Sequence, residues 1–270
     1  MAHRIYEYSN HVNEEFSSSL QQLHDYVNII KSIEANDSAP MWEFLKTEDN
    51  VNVYRLPVHH GSYNEQLHDK LPHMVKGVAT IPKSLPEMFA HLQNMTFEQR
   101  KALDPLVTSF VTKEMEHKKA FNELCVCRCN FKPPTWFLAA RDFVFLSQTY
   151  LFDNQGQEIP LPEDNEFLDD FVLANKDKIA KIIAVSRSVD EDEISRCRRS
   201  SEYTLAHGEV RGFIRCIAWV IDRIDDNSCR GQTLSEMDVA GYVPDWVKGI
   251  IAQHNASGLI KLKNHIEGNK

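Results

Sequence analysis

The residues with the clearest potential for chemistry are three cysteines, at positions 125, 127 and 129. On a β-strand alternate side chains point to the same face, so these thiols would lie on one side of a sheet. Zinc sites instead usually join a C-x₂₋₄-C knuckle to a second ligand pair in a turn geometry. We therefore predict buried, small apolar residues here, with no metal site and no cofactor.

Catalytic motifs do not accompany these thiols. The sequence contains no G-x-S-x-G, no H-E-x-x-H and no P-loop pattern. The adjacent pair His59 and His60 lies in a predicted loop, with no third ligand at a suitable spacing. These observations favour a protein that is not an enzyme.

Charged residues inside predicted strands form a second group of candidates. Arg128 shares a strand face with Leu124 and Val126, and a buried charge must be paired. Its partner is either a ligand or an acid, such as Glu123 or one on a neighbouring strand. Arg141 and Asp142 point to opposite faces of their strand, so they cannot both line one cavity, and we expect buried pairing instead. The same structural role is expected of Arg211.

The elements that position these residues follow from the hydrophobic pattern. Residues 13–35 carry apolar side chains at three- and four-residue spacing, which predicts an amphipathic helix. Capping boxes at Ser84 and Thr96 begin two short helices, and a last helix covers 244–266. Strands are predicted at 42–58 (two, around a turn at 47–50), 75–81, 106–115, 120–131, 141–152, 181–189, 209–224 and 229–239. Runs of strands flanked by helices indicate an α+β fold.

The domain organisation is simple. We divide the chain into an N-terminal helical extension, residues 1–38, and one domain, residues 39–270. An acidic surface insertion at 155–178 interrupts the strand order, and a charged loop at 190–207 interrupts it again.

Bulk composition limits the class of protein. The formal net charge of the 270 residues is −9, which argues against a nucleic-acid partner. No apolar stretch approaches the ~18 residues of a membrane span, and the N-terminus lacks the apolar core of a signal peptide. We therefore expect a cytoplasmic protein with reduced thiols.

Several short motifs, in the correct order, resemble those of the START (StAR-related lipid-transfer) domain family, and in particular its phosphatidylcholine-transfer branch. The resemblance runs from Trp42 to Ile266. The motifs are Trp42-Glu43-Phe44-Leu45, Val75-Lys76-Gly77-Val78-Ala79, Arg100-Lys101-Ala102-Leu103-Asp104, Arg141-Asp142-Phe143-Val144, Gly208-Glu209-Val210-Arg211 and Gly241-Tyr242-Val243-Pro244. It implies a helix-grip fold, in which a curved antiparallel sheet wraps on a long C-terminal helix and encloses a lipid tunnel.

The resemblance also implies residues that contact the lipid. Arg100 matches an arginine that meets the lipid phosphate in the phosphatidylcholine-transfer branch, where its planar fork can pair two phosphate oxygens. Arg128 is a second candidate for the head group. Stripes of residues on two strands either line the tunnel or simply pack a core; the candidates from these stripes are Phe143, Phe145, Ser147 and Trp219.

A lid is implied at the end of the tunnel, formed by the loop 190–207 and the helix that begins at Pro244. One stripe of that helix packs on the sheet or contacts a membrane during lipid exchange; it comprises Trp246, Val247, Ile250 and Ile251. Three arginines of the loop either meet anionic head groups or neutralise nearby acids; they are Arg196, Arg198 and Arg199.

We therefore expect a monomeric carrier that binds a single phospholipid, sterol or ceramide and works in the cytoplasm, transiently at membranes. A lipid-sensing interaction module, whose ligand gates a protein partner, is the alternative that the acidic insertion would favour. An enzyme that acts on a bound hydrophobic substrate is a third possibility, which a buried His or Cys beside a base would favour.

Overall fold

The computed structural model describes residues 16–35, 42–56, 74–93, 97–103, 106–112, 124–132, 138–161, 168–197, 200–241, 243 and 258–268. Within them, one curved sheet contains the strands β1 (Glu43–Glu48), β2 (Val51–Arg55), β3 (Val75–Ile81), β4 (Val107–Thr112), β5 (Leu124–Phe131), β6 (Ala140–Phe152), β7 (Glu158–Ile159), β8 (Lys181–Ser188), β9 (Glu209–Arg211), β10 (Phe213–Arg223) and β11 (Cys229–Asp238).

The strands follow the order β1-β2-β3-β11-β10-β8-β6-β5-β4, with β7 and β9 attached to β6. All these pairs are antiparallel except β6 with β9. The helices are α1 (Ser17–Ala35), α2 (Leu85–Gln93), α3 (Phe97–Leu103), α4 (Leu168–Ala174), α5 (Glu191–Arg196) and α6 (residues 258–267). This arrangement confirms the predicted α+β helix-grip fold.

Local sequence explains two of the boundaries. The predicted capping box opens α2: the Glu87 N–H donates to Ser84 Oγ at 3.4 Å, and the Ser84 N–H donates to Glu87 Oε2 at 3.0 Å. Between β1 and β2 the chain reverses through Asp49 and Asn50, with φ of 47° and 59°. Two such residues form the tight hairpin turn whose twist matches that of the strands.

The sheet has two differently covered faces. Helix α1 packs on one, which we call the outer face, where Leu23 and Ile30 join Leu146, Val185 and their neighbours in a single cluster. The opposite, inner face is covered by α2, α4 and α6, whose buried residues include Phe89, Val172 and Leu259. Alternation along β6, β8 and β10 assigns successive residues to the two faces.

Close packing on the inner face depends on Gly231 of β11. A Cβ at this position would lie 3.3 Å from Leu259 Cδ1 of α6 and 3.3 Å from Ile81 Cγ1. Glycine therefore lets the C-terminal helix approach the centre of the sheet.

Three predicted elements differ from the structure. The strand predicted at 209–224 is divided at Gly212, where the Phe143 ring lies so close to the backbone that a Cβ would be 2.5 Å from its Cζ. The segment 155–178 is not confined to the surface, since its helix α4 adds Val172 to the inner cluster. The loop 190–207 contains α5 and a 3₁₀ turn, Ser200–Tyr203. Of the predicted helix 244–266, residues 244–257 lie outside the described residues.

Candidate functional site

An ion-pair group on the outer side of the sheet joins Asp142 and Arg211, two residues of the START-like motifs, to Arg128. Asp142, completely buried, pairs with Arg128 Nε at 2.6 Å and with Arg211 Nη2 at 2.9 Å. Arg128 also donates to the Thr204 carbonyl at 3.1 Å. The expected buried pairing of Asp142 and Arg211 is confirmed.

Arg128 therefore does not line the inner face, contrary to its assignment as a lipid-binding residue. In the β5–β6 register it lies opposite Val144, an outer-face residue, whereas Cys127 and Cys129 lie opposite Phe145 and Phe143. The alternative partner, an acid on a neighbouring strand, is the one that the structure contains.

Arg141 is satisfied by carbonyls rather than by an acid. Its Nε donates to the Val239 carbonyl at 2.6 Å and its Nη2 to that of Ala240 at 3.2 Å. Burial lowers the pKa of this guanidinium. Its bonds fasten the start of β6 to the chain that leaves β11, just before the predicted lid helix.

The loop predicted as a lid is anchored to α1 in its described residues. Ile194, Cys197 and Tyr203 join the outer cluster. Buried Glu193 accepts hydrogen bonds from the N–H of Ser18 at 2.9 Å and from the N–H of Ser19 at 3.2 Å. The described part of the loop thus holds the N-terminal helix on the outer face, and its role as a lid stays a prediction.

Of the predicted lid residues, Arg196 alone lies within the described part of the chain. Arg196 lies exposed at the end of α5, where its Nε donates to the Asp192 carbonyl at 2.9 Å. The remaining members of this set fall outside the described residues; they are Arg198, Arg199, Trp246, Val247, Ile250 and Ile251.

The inner face contains two large apolar clusters. One contains Phe143, Phe145 and Ile214, with the two cysteines Cys127 and Cys129. The other contains Leu151, Ile182 and Ile221 together with residues of α2, α4 and α6. On the outer face, by contrast, one cluster is continuous along the same strands.

Between the two inner clusters lies a band of buried hydroxyl side chains, which we call the hydroxyl belt; it comprises Ser147, Thr149, Ser186, Thr233 and Ser235. Ser147 pairs with Ser186 in the register, and Ile217 of β10 separates Ser186 from Ser235. In the adjacent inward-facing row, Ala184 and Trp219 separate Thr149 from Thr233. The predicted residues Phe143, Phe145, Ser147 and Trp219 all share this inner face.

The central strand β10 is covered unequally on its two faces. On the outer face Cys216, Ala218 and Val220 have no exposed surface. On the inner face Ile217 and Trp219 are only partly buried, although β10 has strands on both sides. The described elements therefore leave accessible space above the middle of the inner face.

Arg100 lies above this side of the sheet. On α3, Phe97 lies three residues before Arg100 and Leu103 lies three residues after it. Each of these two residues packs against one of the inner clusters. Residues three apart lie on one helix face. Arg100 is accordingly half-buried, and its Nη2 is excluded from solvent.

Five cysteines are buried among the described side chains. No group of three or more His, Cys, Asp or Glu residues is arranged there to hold a metal ion. Burial raises the pKa of Cys216 to about 12, with Glu236 adding to the shift, so this thiol stays protonated at neutral pH. No helix in the described part of the chain is long and apolar enough to cross a membrane.

Sequence reasoning missed most of the hydroxyl belt. Of its residues only Ser147 was a predicted site residue. Serine and threonine at alternate positions on β8 and β11 were the available signal, but a hydroxyl residue on a strand is unremarkable until the register places several side by side.

Comparisons show a consistent structural likeness. Human StAR-related lipid transfer protein 5 is similar over 93% of this chain and 98% of its own, with a TM-score of 0.61 and 16% identity. Human STARD10 covers 87% of this chain and 77% of its own, with a TM-score of 0.56 and 17% identity. A STAR-related lipid transfer protein fragment from Xanthomonas axonopodis covers 84% and 99%, with a TM-score of 0.54 and 15% identity.

At the level of sequence, no family model matches the chain and no curated protein is similar to it. The structural likeness extends over nearly the whole chain and includes the sheet and its helices. The chain therefore has the fold of the StAR-related lipid-transfer domains.

Proposed function

We propose that this chain binds one lipid between the inner face of its sheet and its C-terminal helix, and carries it between membrane surfaces. Two proteins of the same fold are named StAR-related lipid transfer proteins. The proposal rests chiefly on the partly uncovered residues Ile217 and Trp219 at the middle of the inner face.

Ordinary packing does not explain this exposure. Protein interiors are packed as densely as organic crystals, so the centre of a filled core should leave no accessible surface. The outer face of the same strand meets that expectation. A space lined by apolar side chains would bind acyl chains or a sterol ring through burial alone, at about 25 cal/mol for each Å² removed from water.

Arg100 is the proposed contact for a charged head group. It lies on the inner side of α3 and is partly shielded from solvent, where an ionic contact is stronger than in bulk water. If a phosphate binds there, Arg100→Ala should slow the transfer of phospholipids much more than that of uncharged lipids, without unfolding the protein.

A matched pair of substitutions tests the proposed space. Ala184 lies on the inner face of β8, and Ala218 lies on the outer face of the adjacent β10. We expect Ala184→Phe to fill the space and abolish lipid binding in a folded protein, whereas Ala218→Phe should overpack a filled core and destabilise the protein by about 1–3 kcal/mol or more.

The measurements are mass spectrometry of lipids extracted from the purified protein, lipid transfer between vesicles, and thermal unfolding. A wild-type protein that carries no lipid and transfers none would contradict the proposed function. The same conclusion would follow if Ala184→Phe unfolded the protein as severely as Ala218→Phe.

A further inference from the structure

The hydroxyl belt contains buried polar groups that the described chain does not satisfy. Ser186 Oγ donates to Ser147 Oγ at 3.0 Å. Thr233 Oγ1 and Ser235 Oγ are excluded from solvent, each on a residue only 5% exposed, and make no hydrogen bond with any described residue. Buried polar groups are nearly always hydrogen-bonded, so two neighbouring exceptions indicate a missing partner.

The position of the belt suits the polar end of a ligand. It crosses β6, β8, β10 and β11, and strands lie about 4.8 Å apart, so its width is about 14 Å. Apolar clusters flank it on both sides along the strands. It also borders the partly uncovered residues Ile217 and Trp219.

The belt carries no charge. Its two rows contain only hydroxyl, apolar and small residues on the described strands from β6 to β3, ending at Val75 and Gly77. The nearest charged residues on β8 and β11, Arg187 and Glu236, belong to the outer side: Arg187 lies 5.9 Å from the Tyr26 ring of α1, and Glu236 pairs with Cys216.

This chemistry discriminates between lipid classes. A phosphate or ammonium group that enters a buried site without a countercharge loses the favourable free energy of its hydration. It forms no ionic contact that would offset this loss. Serine and threonine hydroxyls both donate and accept, so they match a hydroxyl, amide or ester group. The flat ring of Trp219 beside the small side chain of Ala184 gives such a ligand an apolar surface next to its polar group.

We propose that the hydroxyl belt, with the unsatisfied hydroxyls of Thr233 and Ser235 at its β11 end, is the subsite for the uncharged polar group of a neutral lipid, of the hydroxyl, amide or ester type. This assignment rests on the proposed function and narrows it: the preferred cargo is neutral, and its polar end lies against β11 rather than against Arg100.

The test uses the full chain and two variants that remove the hydroxyl groups, Thr233→Val and Ser235→Ala, alone and combined. Thr80→Val, on an exposed position of the adjacent β3, is the matched control. Transfer is measured from phosphatidylcholine vesicles that contain a fluorescent sterol, a fluorescent diacylglycerol or a fluorescent phosphatidylcholine. We expect each belt variant to bind its preferred neutral lipid about tenfold more weakly, as the loss of one hydrogen bond predicts.

Two further readouts separate a binding role from a structural one. Transfer of phosphatidylcholine should change little, and the thermal midpoint of the lipid-free variants should stay the same or rise, since an unsatisfied hydroxyl has been removed. The Thr80→Val control should match the wild type for all three lipids.

The possible failures are distinguishable. If the wild type transfers none of the three lipids, the proposed function fails, and this inference with it. If the wild type transfers lipid but the belt variants equal it, the hydroxyls do not contact the cargo and only this inference fails. It also fails if phosphatidylcholine is the preferred cargo and Arg100→Ala, not the belt variants, abolishes its transfer.

Discussion

Glu193 offers a direct test of how α1 is held on the sheet. The residue is 5% exposed, and its carboxylate accepts hydrogen bonds from the N–H groups of Ser18 and Ser19 and from Ser19 Oγ. Those N–H groups belong to the first turn of α1, where no intrahelical acceptor exists. The negative charge also faces the positive end of a 19-residue helix. Glu193 therefore caps this helix from 174 residues away in sequence.

The size of the effect follows from these contacts. A hydrogen bond to a charged group contributes about 1.5–3 kcal/mol, and contacts that share one carboxylate do not add fully. We expect Glu193→Ala to lower the free energy of unfolding by about 3 kcal/mol. Glu193→Gln keeps an acceptor oxygen but loses the charge, so its loss should be roughly half as large.

Urea denaturation, followed by far-UV circular dichroism, measures both variants. A loss of about 3 kcal/mol should move the midpoint by about 1 M, given the slopes typical of proteins in urea. Asp192→Ala is the control, because Asp192 lies next to Glu193 on α5 but is exposed. If Glu193→Ala and Asp192→Ala unfold at the same urea concentration, Glu193 does not hold α1 and the reasoning is wrong.

Three further predictions concern other parts of the sheet. Gly212→Ala should lower the free energy of unfolding by about 1–3 kcal/mol, measured by thermal unfolding, because the added methyl group overlaps the Phe143 ring. Gly208→Ala, in open space at φ +82°, is the comparison that reports backbone strain alone. Asp142→Asn should lower the free energy of unfolding by about 3 kcal/mol or more in urea denaturation, because Arg128 and Arg211 lose their shared buried carboxylate. An unchanged urea midpoint would contradict the ion-pair role. Burial, together with His265 and Lys83, lowers the pKa of His91. The unfolded chain therefore binds this proton at a higher pH than the folded one, and the free energy of unfolding should fall as the pH drops below about 6.5. His91→Gln should reduce this dependence of the unfolding free energy on pH, and an unchanged dependence would exclude His91 as its source.

Local patterns were sufficient to predict much of the fold. The alternation of residues in strands correctly placed Phe143, Phe145 and Ser147 on one face, and Cys127 and Cys129 on the same side of the sheet. The capping box at Ser84 predicted the start of α2, because both of its bonds join residues three apart. Such signals act over a few residues and do not need the tertiary structure.

Contacts between distant segments could not be predicted in the same way. The sequence left Arg128 with several possible acids, and only the β5–β6 register selects Asp142. The charged loop contained no sign that Glu193 would be buried, because its partners lie on α1. The hydroxyl belt depends on four strands aligning, including β10 and β11, whose register shifts at a bulge between Ile214 and Cys216.

The composition of the belt itself argues for a role beyond stability. Valine has nearly the shape of threonine, so a valine at position 233 would fill the same place without a buried hydroxyl. An unsatisfied hydroxyl costs about 1–3 kcal/mol, which is a large fraction of the 5–15 kcal/mol that stabilises a typical domain. Thr233 and Ser235 together therefore lower the stability of the empty protein. A ligand that hydrogen-bonds to both removes that cost when it binds, so the same two residues that weaken the empty protein strengthen the complex. This coupling predicts that a neutral lipid raises the thermal midpoint of the wild type by more than that of the Thr233→Val, Ser235→Ala double variant, and an equal rise in both would show that the hydroxyls do not contact the lipid.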